Sequence, residues 1–218
     1  MTYRDIVAPF TRRFRERRLR KLSQAFPPET CPRVLDVGGS PGIWEMIDYP
    51  ADITLINLDP VMLDGAVGGE RRRYTAVVGD ARNLAYADHS FDLVFSNSVI
   101  EHVGSSKDME DFAREVRRVG KYYYCQTPNK WFPIEPHFGT LFLHWFPWIL
   151  RKHFVFRYFT LAGLVNKPGP ETVKLLLDDV NLLRRKDLQR LFPDATIQRE
   201  KFLFFTKSLV ALRCPNGQ

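Results

Sequence analysis

A loop of small residues after the first short apolar run is the clearest candidate for chemistry in this sequence. Within Val34–Gly42, Asp36 is followed at alternate positions by Gly38, Ser40 and Gly42. Small residues after a buried strand let a ligand approach the backbone closely, and a helix beginning behind them would offer N–H groups to a polar ligand. The spacing differs from Gly-x-Gly-x-x-Gly, so the dinucleotide-binding fingerprint is absent.

Two further carboxylates follow apolar runs. Asp59 precedes Pro60 at the end of the second run, and Asp80 precedes Ala81 after the third. Because the carboxyl ends of parallel strands meet at one edge of a sheet, we expect both side chains near the small-residue loop. Each also has a structural explanation, since Asp59 would suit an N-cap before a helical proline and Asp80 would suit a turn.

Short apolar runs alternate with helical periodicities or long connections, which indicates a parallel sheet in an α/β fold. The runs predict strands at 33–37, 53–58, 74–78, 91–95 and 122–126, and the periodicities predict helices at 43–47 and 107–119. The patterns that follow predict helices at 171–179 and 186–192, and then two closing strands at 196–201 and 208–213. Residues 128–170 interrupt this alternation with six prolines and many aromatic residues.

The composition is that of a globular protein with a core of its own. Hydrophobic residues make up 44% and charged residues 26% of the 218 residues, which excludes a disordered or collagen-like chain. The three cysteines form no Cys-x-x-Cys pair, so neither a zinc knuckle nor a disulfide framework is suggested. The N-terminus lacks the apolar core of a signal peptide, and no run reaches the roughly 18 apolar residues that span a bilayer. We therefore expect a cytoplasmic protein.

Basic residues concentrate in the N-terminal segment. Residues 1–26 contain eight basic and two acidic residues, so +6 of the formal net charge of +7 lies there. Ile6, Phe10 and Phe14 recur at helical spacing, which predicts a basic helix over 1–28. We expect this helix to dock on the main domain by its apolar stripe, with solvated arginines outside. The alternative is a surface for an anionic partner, such as a phosphate-bearing substrate, an acidic membrane or RNA.

Five landmarks in the right order make the sequence resemble the class I S-adenosylmethionine-dependent methyltransferases of the small-molecule type. They are the segments 34–42, 55–59, 79–84, 91–97 and 99–103. The resemblance implies an α/β, Rossmann-like fold, with a seven-stranded, mostly parallel sheet, a closing antiparallel hairpin and helices on both faces. It divides the chain into the basic helix (1–28) and a methyltransferase domain (29–218) with an aromatic-rich helical lid insertion at about 128–182.

The resemblance also implies S-adenosylmethionine as the cofactor. The residues implied to bind it follow the first four strands, and they are Asp36, Gly38, Ser40, Gly42, Asp59, Pro60, Asp80, Ala81 and Asn97. Asp59 would accept hydrogen bonds from both ribose hydroxyls, and Asp80 would accept one from the adenine amino group. Asp36 would either order the loop or face the amine. Ser40 stands where the family usually has Gly, and it is small enough for the role.

Methyl transfer is an in-line displacement whose main requirement is placement, and a neutral oxygen acceptor also needs a base for its proton. The candidate catalytic residues are His102, after the fourth strand, and Glu135 and His137, after the fifth. Residues two apart in an extended segment point the same way, so we expect Glu135 and His137 together, opposite His102 across the methyl group.

Two structural alternatives stand beside this interpretation. The first is that the pair Glu101-His102 has a structural role only, with one side chain packed in the fold and the other pointing at the loop. A metal site built from Glu101, His102, Glu135 and His137 is the other alternative, but we predict no metal.

The aromatic segment 131–159 is expected to form a lid over an apolar acceptor pocket, with a satellite core as the alternative. We predict methyl transfer to an oxygen of a small-molecule acceptor with an apolar body, by an enzyme that is cytoplasmic or peripheral to a membrane. An RNA or protein methyltransferase would use the arginine-rich helix to hold its polymer, but no separate nucleic-acid module appears. A non-catalytic cofactor-binding subunit and an NAD-dependent enzyme are the remaining alternatives, and the glycine spacing disfavours the latter.

Overall fold

A seven-stranded sheet lies at the centre of the fold. The computed structural model describes residues 3–66, 73–135, 137–146 and 152–215. The sheet order is β3-β2-β1-β4-β5-β9-β8, in which β1 to β5 are parallel and β9 is antiparallel to both of its neighbours. These strands are β1 (Arg33–Val37), β2 (Asp52–Asn57), β3 (Arg73–Val78), β4 (Phe91–Asn97), β5 (Gly120–Pro128), β8 (Thr196–Phe202) and β9 (Phe205–Arg213). The predicted Rossmann-like sheet with its closing hairpin is confirmed.

Helices cover both faces of the sheet. They are α1 (Tyr3–Ala25), α2 (Pro41–Trp44), α3 (Ser106–Val119), α4 (His153–Phe159), α5 (Leu161–Asn166), α6 (Pro170–Asp178) and α7 (Arg185–Leu191). Three short 3₁₀ turns, Pro60–Leu63, Ile100–His102 and Leu143–Trp145, connect them to the strands.

One face of the sheet is covered by α3 and α7. Phe112 and Val116 of α3 and Leu188 of α7 pack in a common core with Val94 of β4. The helix α3 begins where Ser105 caps it and accepts a hydrogen bond from the Asp108 N–H, and its apolar residues recur at helical spacing. The predicted helix at 107–119 is therefore confirmed.

The other face is covered by the C-terminal half of α1. Leu19, Leu22 and Phe26 are fully buried in a core shared with Leu93 and Phe95 of β4. Because β4 is buried on both faces, Leu93, Val94 and Phe95 are all apolar, without the alternation of a strand that has one face in solvent. The N-terminal helix thus docks on the main domain, although the side chains of the predicted stripe residues 6 and 10 lie outside the described residues.

The helix predicted at 43–47 is wrong in extent. The structure has only the four-residue α2, Pro41–Trp44, and the chain turns after it. Trp44 and Tyr49 are both fully buried, with ring centroids 5.5 Å apart. Burying two large rings so close in sequence requires the backbone to turn inward, and this packing overrides the helical pattern.

The insertion after β5 contains a hairpin and short helices. β6 (Ile134–Glu135) pairs with β7 (Thr140–Leu141), and Phe138, Phe156 and Val173 form a small buried cluster. This cluster is the satellite core that the alternative interpretation expected, while residues 147–151 of the insertion lie outside the described part of the chain. Among the described residues, no helix is both long and apolar enough to cross a bilayer.

Candidate active site

Gly38 shapes the loop after β1. Its φ of +71° lies in the left-handed region, and a Cβ atom there would come within 2.5 Å of the Val99 side chain. Its N–H donates to the carbonyl of Ile56 at 2.8 Å, which ties the loop to β2. Only glycine meets both the conformational and the spatial requirement, so the loop remains thin where a ligand would approach.

Asp36 lies beneath this loop. Its carboxylate is buried and accepts a hydrogen bond from Trp44 Nε1 at 2.8 Å, and a Cβ atom on Gly39 would collide with it. Burial raises the pKa of Asp36 to about 7, although the Trp44 hydrogen bond acts to lower it. The Trp44 hydrogen bond ties Asp36 to α2, and a role of Asp36 toward the cofactor stays a prediction.

The end of the loop differs from the expected helix N-terminus. Ser40 is extended at the start of α2 and makes no capping hydrogen bond with its side chain, and Gly42 is exposed with open space beside it. A helix of four residues that begins with a proline offers few aligned N–H groups. Ser40 and Gly42 therefore leave space for a ligand to reach the backbone, and they do not supply a helix dipole.

Asp59 is exposed at the carboxyl end of β2. It caps the 3₁₀ turn that begins at Pro60, because its Oδ1 accepts a hydrogen bond from the Val61 N–H at 3.0 Å. Leu58, Val61 and Met62 around it present large apolar side chains to solvent. An exposed carboxylate beside an apolar surface suits a ligand that has both hydroxyl groups and a flat ring.

Asp80 is engaged by a neighbour in a way the sequence did not indicate. Both of its carboxylate oxygens accept hydrogen bonds from the guanidinium of Arg82, which also contacts Asp108 at 2.8 Å. The side-chain hydrogen bond of Arg82 is the largest cause that lowers the pKa of Asp80. Ala81 packs against the core. Asp80 is thus a turn residue paired with Arg82, with only part of its acceptor capacity left for a ligand.

Asn97 accepts a hydrogen bond from Arg18, a buried arginine whose place in an arginine-rich run predicts exposure to solvent. Arg18 of α1 is only 5% exposed, and it donates to Asn97 Oδ1, to Gln126 Oε1 at 2.8 Å and to both carboxylate oxygens of Glu200. Ser98 Oγ donates to the same Gln126 oxygen at 3.0 Å. Arg18 therefore ties α1 to the carboxyl ends of β4 and β5, where the site lies. Its position in an arginine-rich run carries no signal that marks it from its neighbours.

Two histidines and their carboxylate partners form a compact cluster at the same edge. The Nε2 atoms of His102 and His137 lie 3.2 Å apart. His102 Nδ1 is 2.8 Å from Asp179, and His137 Nδ1 contacts Glu135, whose other oxygen accepts from the Phe138 N–H at 2.7 Å. Since carboxylates only accept hydrogen bonds, each Nδ1 carries a proton. The two histidines touch each other, so the expected arrangement across the methyl group is wrong.

Glu101 completes this cluster from below. It is fully buried, and its Oε2 accepts a hydrogen bond from Thr127 Oγ1 at 3.0 Å. Its Oε1 has no hydrogen-bond partner within the described part of the chain and lies 4.0 Å from His137 Nε2. Burial is the main cause that raises its pKa. Donor atoms of Glu101, His102 and His137 all lie within 4.8 Å of one another, a spacing that a metal ion can bridge.

A cavity of about 750 Å³ borders the cluster between the insertion, α3 and α7. Glu135 and Phe138 line it from the insertion, Met109 lines it from α3, and Arg184 lines it as an ion pair with Asp187. Polar side chains outnumber apolar ones in this lining, so the cavity suits a ligand that combines several polar groups with an apolar part.

The family of the central domain follows from comparison with known proteins. Residues 35–122 match the family described as a methyltransferase domain. Over these residues the chain is similar to the class I S-adenosylmethionine-dependent methyltransferases. The match begins in β1 and ends in β5, so it contains the loop at Gly38, both strand-end carboxylates and the Glu101-His102 pair.

Curated relatives of the methyltransferase domain match over part of their length. The chain is 39% identical over 99 residues to a malonyl-[acyl-carrier protein] O-methyltransferase of Legionella pneumophila, covering 43% of this chain and 34% of that protein. It is 32% identical over 112 residues to a demethylmenaquinone methyltransferase of Roseiflexus, covering 49% of this chain and 45% of that protein. The chain thus spans less than half the length of these relatives.

A solved structure extends the similarity of fold beyond the matched residues. The magnesium protoporphyrin IX methyltransferase from Synechocystis with bound SAH is 14% identical, with a TM-score of 0.56. The alignment covers 91% of this chain and 81% of that one. The methyltransferase fold is therefore shown for most of the chain.

The residues of this methyltransferase domain fit S-adenosylmethionine, although not all in the expected way. The thin loop at Gly38 leaves room for the methionine moiety, and the exposed Asp59 has capacity left to accept from ribose hydroxyls. The apolar side chains of Val61 and Met62 offer a surface for the adenine ring. Asp80 and Asn97 are tied to arginines, so their roles toward the cofactor stay predictions.

Proposed function

We propose that this chain transfers the methyl group of S-adenosylmethionine to an oxygen of a small-molecule acceptor with an apolar body. One observation carries the proposal: the cofactor loop and the histidine cluster are adjacent. The Val99 side chain packs against Gly38, and the 3₁₀ turn that carries Glu101 and His102 begins at the next residue. A donor methyl held at the loop would therefore lie beside groups able to take up a proton.

Bound S-adenosylmethionine supplies a methyl group activated by the sulfonium, and the chain supplies placement and proton transfer. With both Nδ1 atoms protonated toward carboxylates, the two Nε2 lone pairs of His102 and His137 face each other and favour a shared proton. When that proton is absent, an Nε2 atom that turns from its partner toward the acceptor is the general base. Glu135 and Asp179 are positioning residues, because they hold the imidazole rings from behind.

The acceptor class is proposed from the lining of the 750 Å³ cavity and from the names of the relatives. Phe138 and Met109 suit an apolar body, while the polar side chains of both charges around them suit polar groups on the same molecule. Of the relatives named above, one is an O-methyltransferase of malonyl-[acyl-carrier protein] and another is a demethylmenaquinone methyltransferase. Arg18 is buried and paired with Glu200, so it is not available to hold an RNA or protein substrate. We propose that the remaining basic residues of α1 face a smaller anionic partner.

Cofactor binding tests this proposal directly. We expect calorimetry to show binding of S-adenosylhomocysteine and no binding of NAD. Replacing Asp59 by alanine should weaken that binding by about 2–3 kcal/mol, because the ribose hydroxyls would lose charge-assisted hydrogen bonds. Asp64→Ala is the matched control, since Asp64 is an exposed carboxylate at the other end of the same 3₁₀ turn. Undiminished affinity in Asp59→Ala would remove the ribose assignment, and binding of NAD alone would overturn the proposed function.

A further inference from the structure

A basic cavity lies between α1 and the β8–β9 hairpin, away from the histidine cluster. Its volume is about 220 Å³. Six of its lining residues are cationic, one is acidic and one is aromatic, and they are Arg17, Arg18, Lys21, Arg199, Lys201, Lys207, Glu200 and Phe14. So many positive groups around a small cavity repel one another unless an anion sits among them.

The one carboxylate in the lining does not balance this charge. Glu200 accepts hydrogen bonds from Arg18 at 2.8 Å and 2.6 Å, so it is taken up by the buried arginine. The ammonium of Lys207 sits 3.7 Å from the centre of the Phe14 ring. Burial is the first cause that lowers the pKa of Lys207 to about 8, and the charge of Arg18 is the second. An anion in this cavity would relieve that repulsion.

An aromatic tip extends from the same hairpin. We use this name for Phe202–Phe205, where Leu203 and Phe204 form the turn between β8 and β9. Leu203 is 74% exposed and Phe204 is 95% exposed. Leu203 also has a φ of +52°, a conformation that turns normally assign to Gly or Asn. The turn thus keeps two large apolar side chains in solvent where polar, conformationally easier residues would serve a soluble protein.

The aromatic tip and the basic cavity are neighbours on one surface. The Phe202 ring lies 5.6 Å from the ring of Phe14, which lines the cavity, and 6.3 Å from the ring of Phe132 in the insertion. Lys201 and Lys207 flank the tip in the sequence and line the cavity. Exposed apolar side chains and clustered positive charge therefore meet in one patch.

We propose that the basic cavity binds the phosphate headgroup of an anionic phospholipid while the aromatic tip inserts into the bilayer. A bilayer is the one partner that offers a phosphate and an apolar phase within the length of a side chain of each other. RNA would satisfy the cations, but it would leave Leu203 and Phe204 in water. A protein partner would need an acidic group beside an apolar groove, and nothing in the patch favours that over the simpler ligand.

This orientation has a consequence for the acceptor, which rests on the proposed function. Ser208 of β9 pairs with Pro128 at the carboxyl end of β5, so the aromatic tip projects beyond the sheet edge that carries the active site. Docking by the tip would turn that edge toward the membrane. An acceptor with an apolar body would then be taken from the bilayer rather than from water.

Vesicle co-sedimentation without cofactor or acceptor tests the site independently of methyl transfer. The probes are vesicles of phosphatidylcholine alone and vesicles with phosphatidylglycerol added. We expect the full chain to bind the anionic vesicles, with an affinity that falls as salt is raised, and to bind neutral vesicles weakly. The tip variant Leu203→Ser with Phe204→Ser should lose at least about 10-fold in affinity, because both side chains leave the bilayer. Leu175→Ser, at an equally exposed leucine of α6, is its control.

A charge variant separates the headgroup from the tip. Arg17→Gln, Lys21→Gln and Lys201→Gln together should weaken binding to anionic vesicles and flatten its salt dependence. Lys107→Gln, Arg114→Gln and Lys174→Gln remove the same charge from exposed positions on α3 and α6 that do not line the cavity, and this variant should bind like the wild type. Wild-type binding by the tip variant, or equal binding to neutral and anionic vesicles, would overturn the proposal. So would saturation of the cavity by inorganic phosphate or single-stranded RNA in calorimetry without any vesicle binding.

Discussion

Replacing Arg18 by methionine is expected to lower the free energy of unfolding by about 3 kcal/mol. The guanidinium is buried and is the main partner of Glu200, and it also donates to Asn97 and Gln126. Methionine would fill the space but leave the Glu200 carboxylate without its close cation. We place the effect at the lower end for a broken buried pair because the positive charges of Lys21 and Lys207 still act on Glu200.

Urea denaturation measures this loss of stability, and two further variants test its cause. Arg17→Met changes an exposed neighbour on the same helix and should fall within about 0.5 kcal/mol of the wild type. Adding Glu200→Gln to Arg18→Met should recover part of the lost stability, because no unpaired charge would then remain. If Arg18→Met alone were as stable as the wild type, Arg18 would not anchor α1.

The pH dependence of stability is a second test of the pair formed by Arg18 and Glu200. Burial acts to raise the pKa of Glu200, but the hydrogen bond and charge of Arg18 outweigh it, so the pKa is lowered on folding. The contribution of the pair is therefore complete above the unfolded pKa of about 4.3 and is lost as the pH falls through the folded value. Arg18→Met should lose less stability than the wild type in that acidic window.

Replacing His137 by alanine is expected to lower turnover by about 10²–10⁴-fold for an acceptor that must lose a proton. His102 lies in the 3₁₀ turn that follows Val99, and Val99 packs against Gly38 of the cofactor loop, so the histidine pair can accept a proton close to that loop. Affinity for S-adenosylhomocysteine should stay nearly unchanged, because the loop at Gly38 and the carboxylate of Asp59 are untouched. His89→Asn is the control, since His89 is an exposed histidine at a positive φ that asparagine tolerates.

Two acceptors distinguish proton removal from placement. A phenol with an apolar body needs the base, whereas a fatty acid is already anionic, so His137→Ala should slow transfer to the phenol far more than to the carboxylate. Burial acts to lower the pKa of His137, yet Glu135, Glu101 and Asp179 together raise it. Turnover of the phenol should therefore fall as the pH is lowered through a value above the usual ~6.5 of histidine.

Equal losses with both acceptors would contradict the base assignment and leave placement as the role of the histidines. A second contradiction would come from a chelator. If chelation abolished turnover and added Zn²⁺ or Mn²⁺ restored it, the donor atoms of Glu101, His102 and His137 would be metal ligands rather than proton acceptors.

Features that depend on local pattern could be predicted from the sequence. The parallel strands follow from short apolar runs, and α3 follows from helical spacing that ends at Gly120, because these signals act within a few residues. Gly38 could be predicted as a loop residue for the same reason, since small residues after a strand are a local pattern. Asp59 was found at the end of β2, where the structure leaves it exposed.

Features that depend on contacts between distant segments were decided by tertiary structure alone. Arg18 meets Glu200 across 182 residues, and His102 meets His137 across 35, so no local pattern could separate Arg18 from its solvated neighbours or bring the imidazoles into contact. The helix α2 ends early because Trp44 and Tyr49 are drawn into the core. In each case the energy comes from burial or from pairing with a partner that the sheet brings close, and that partner is absent from the local sequence.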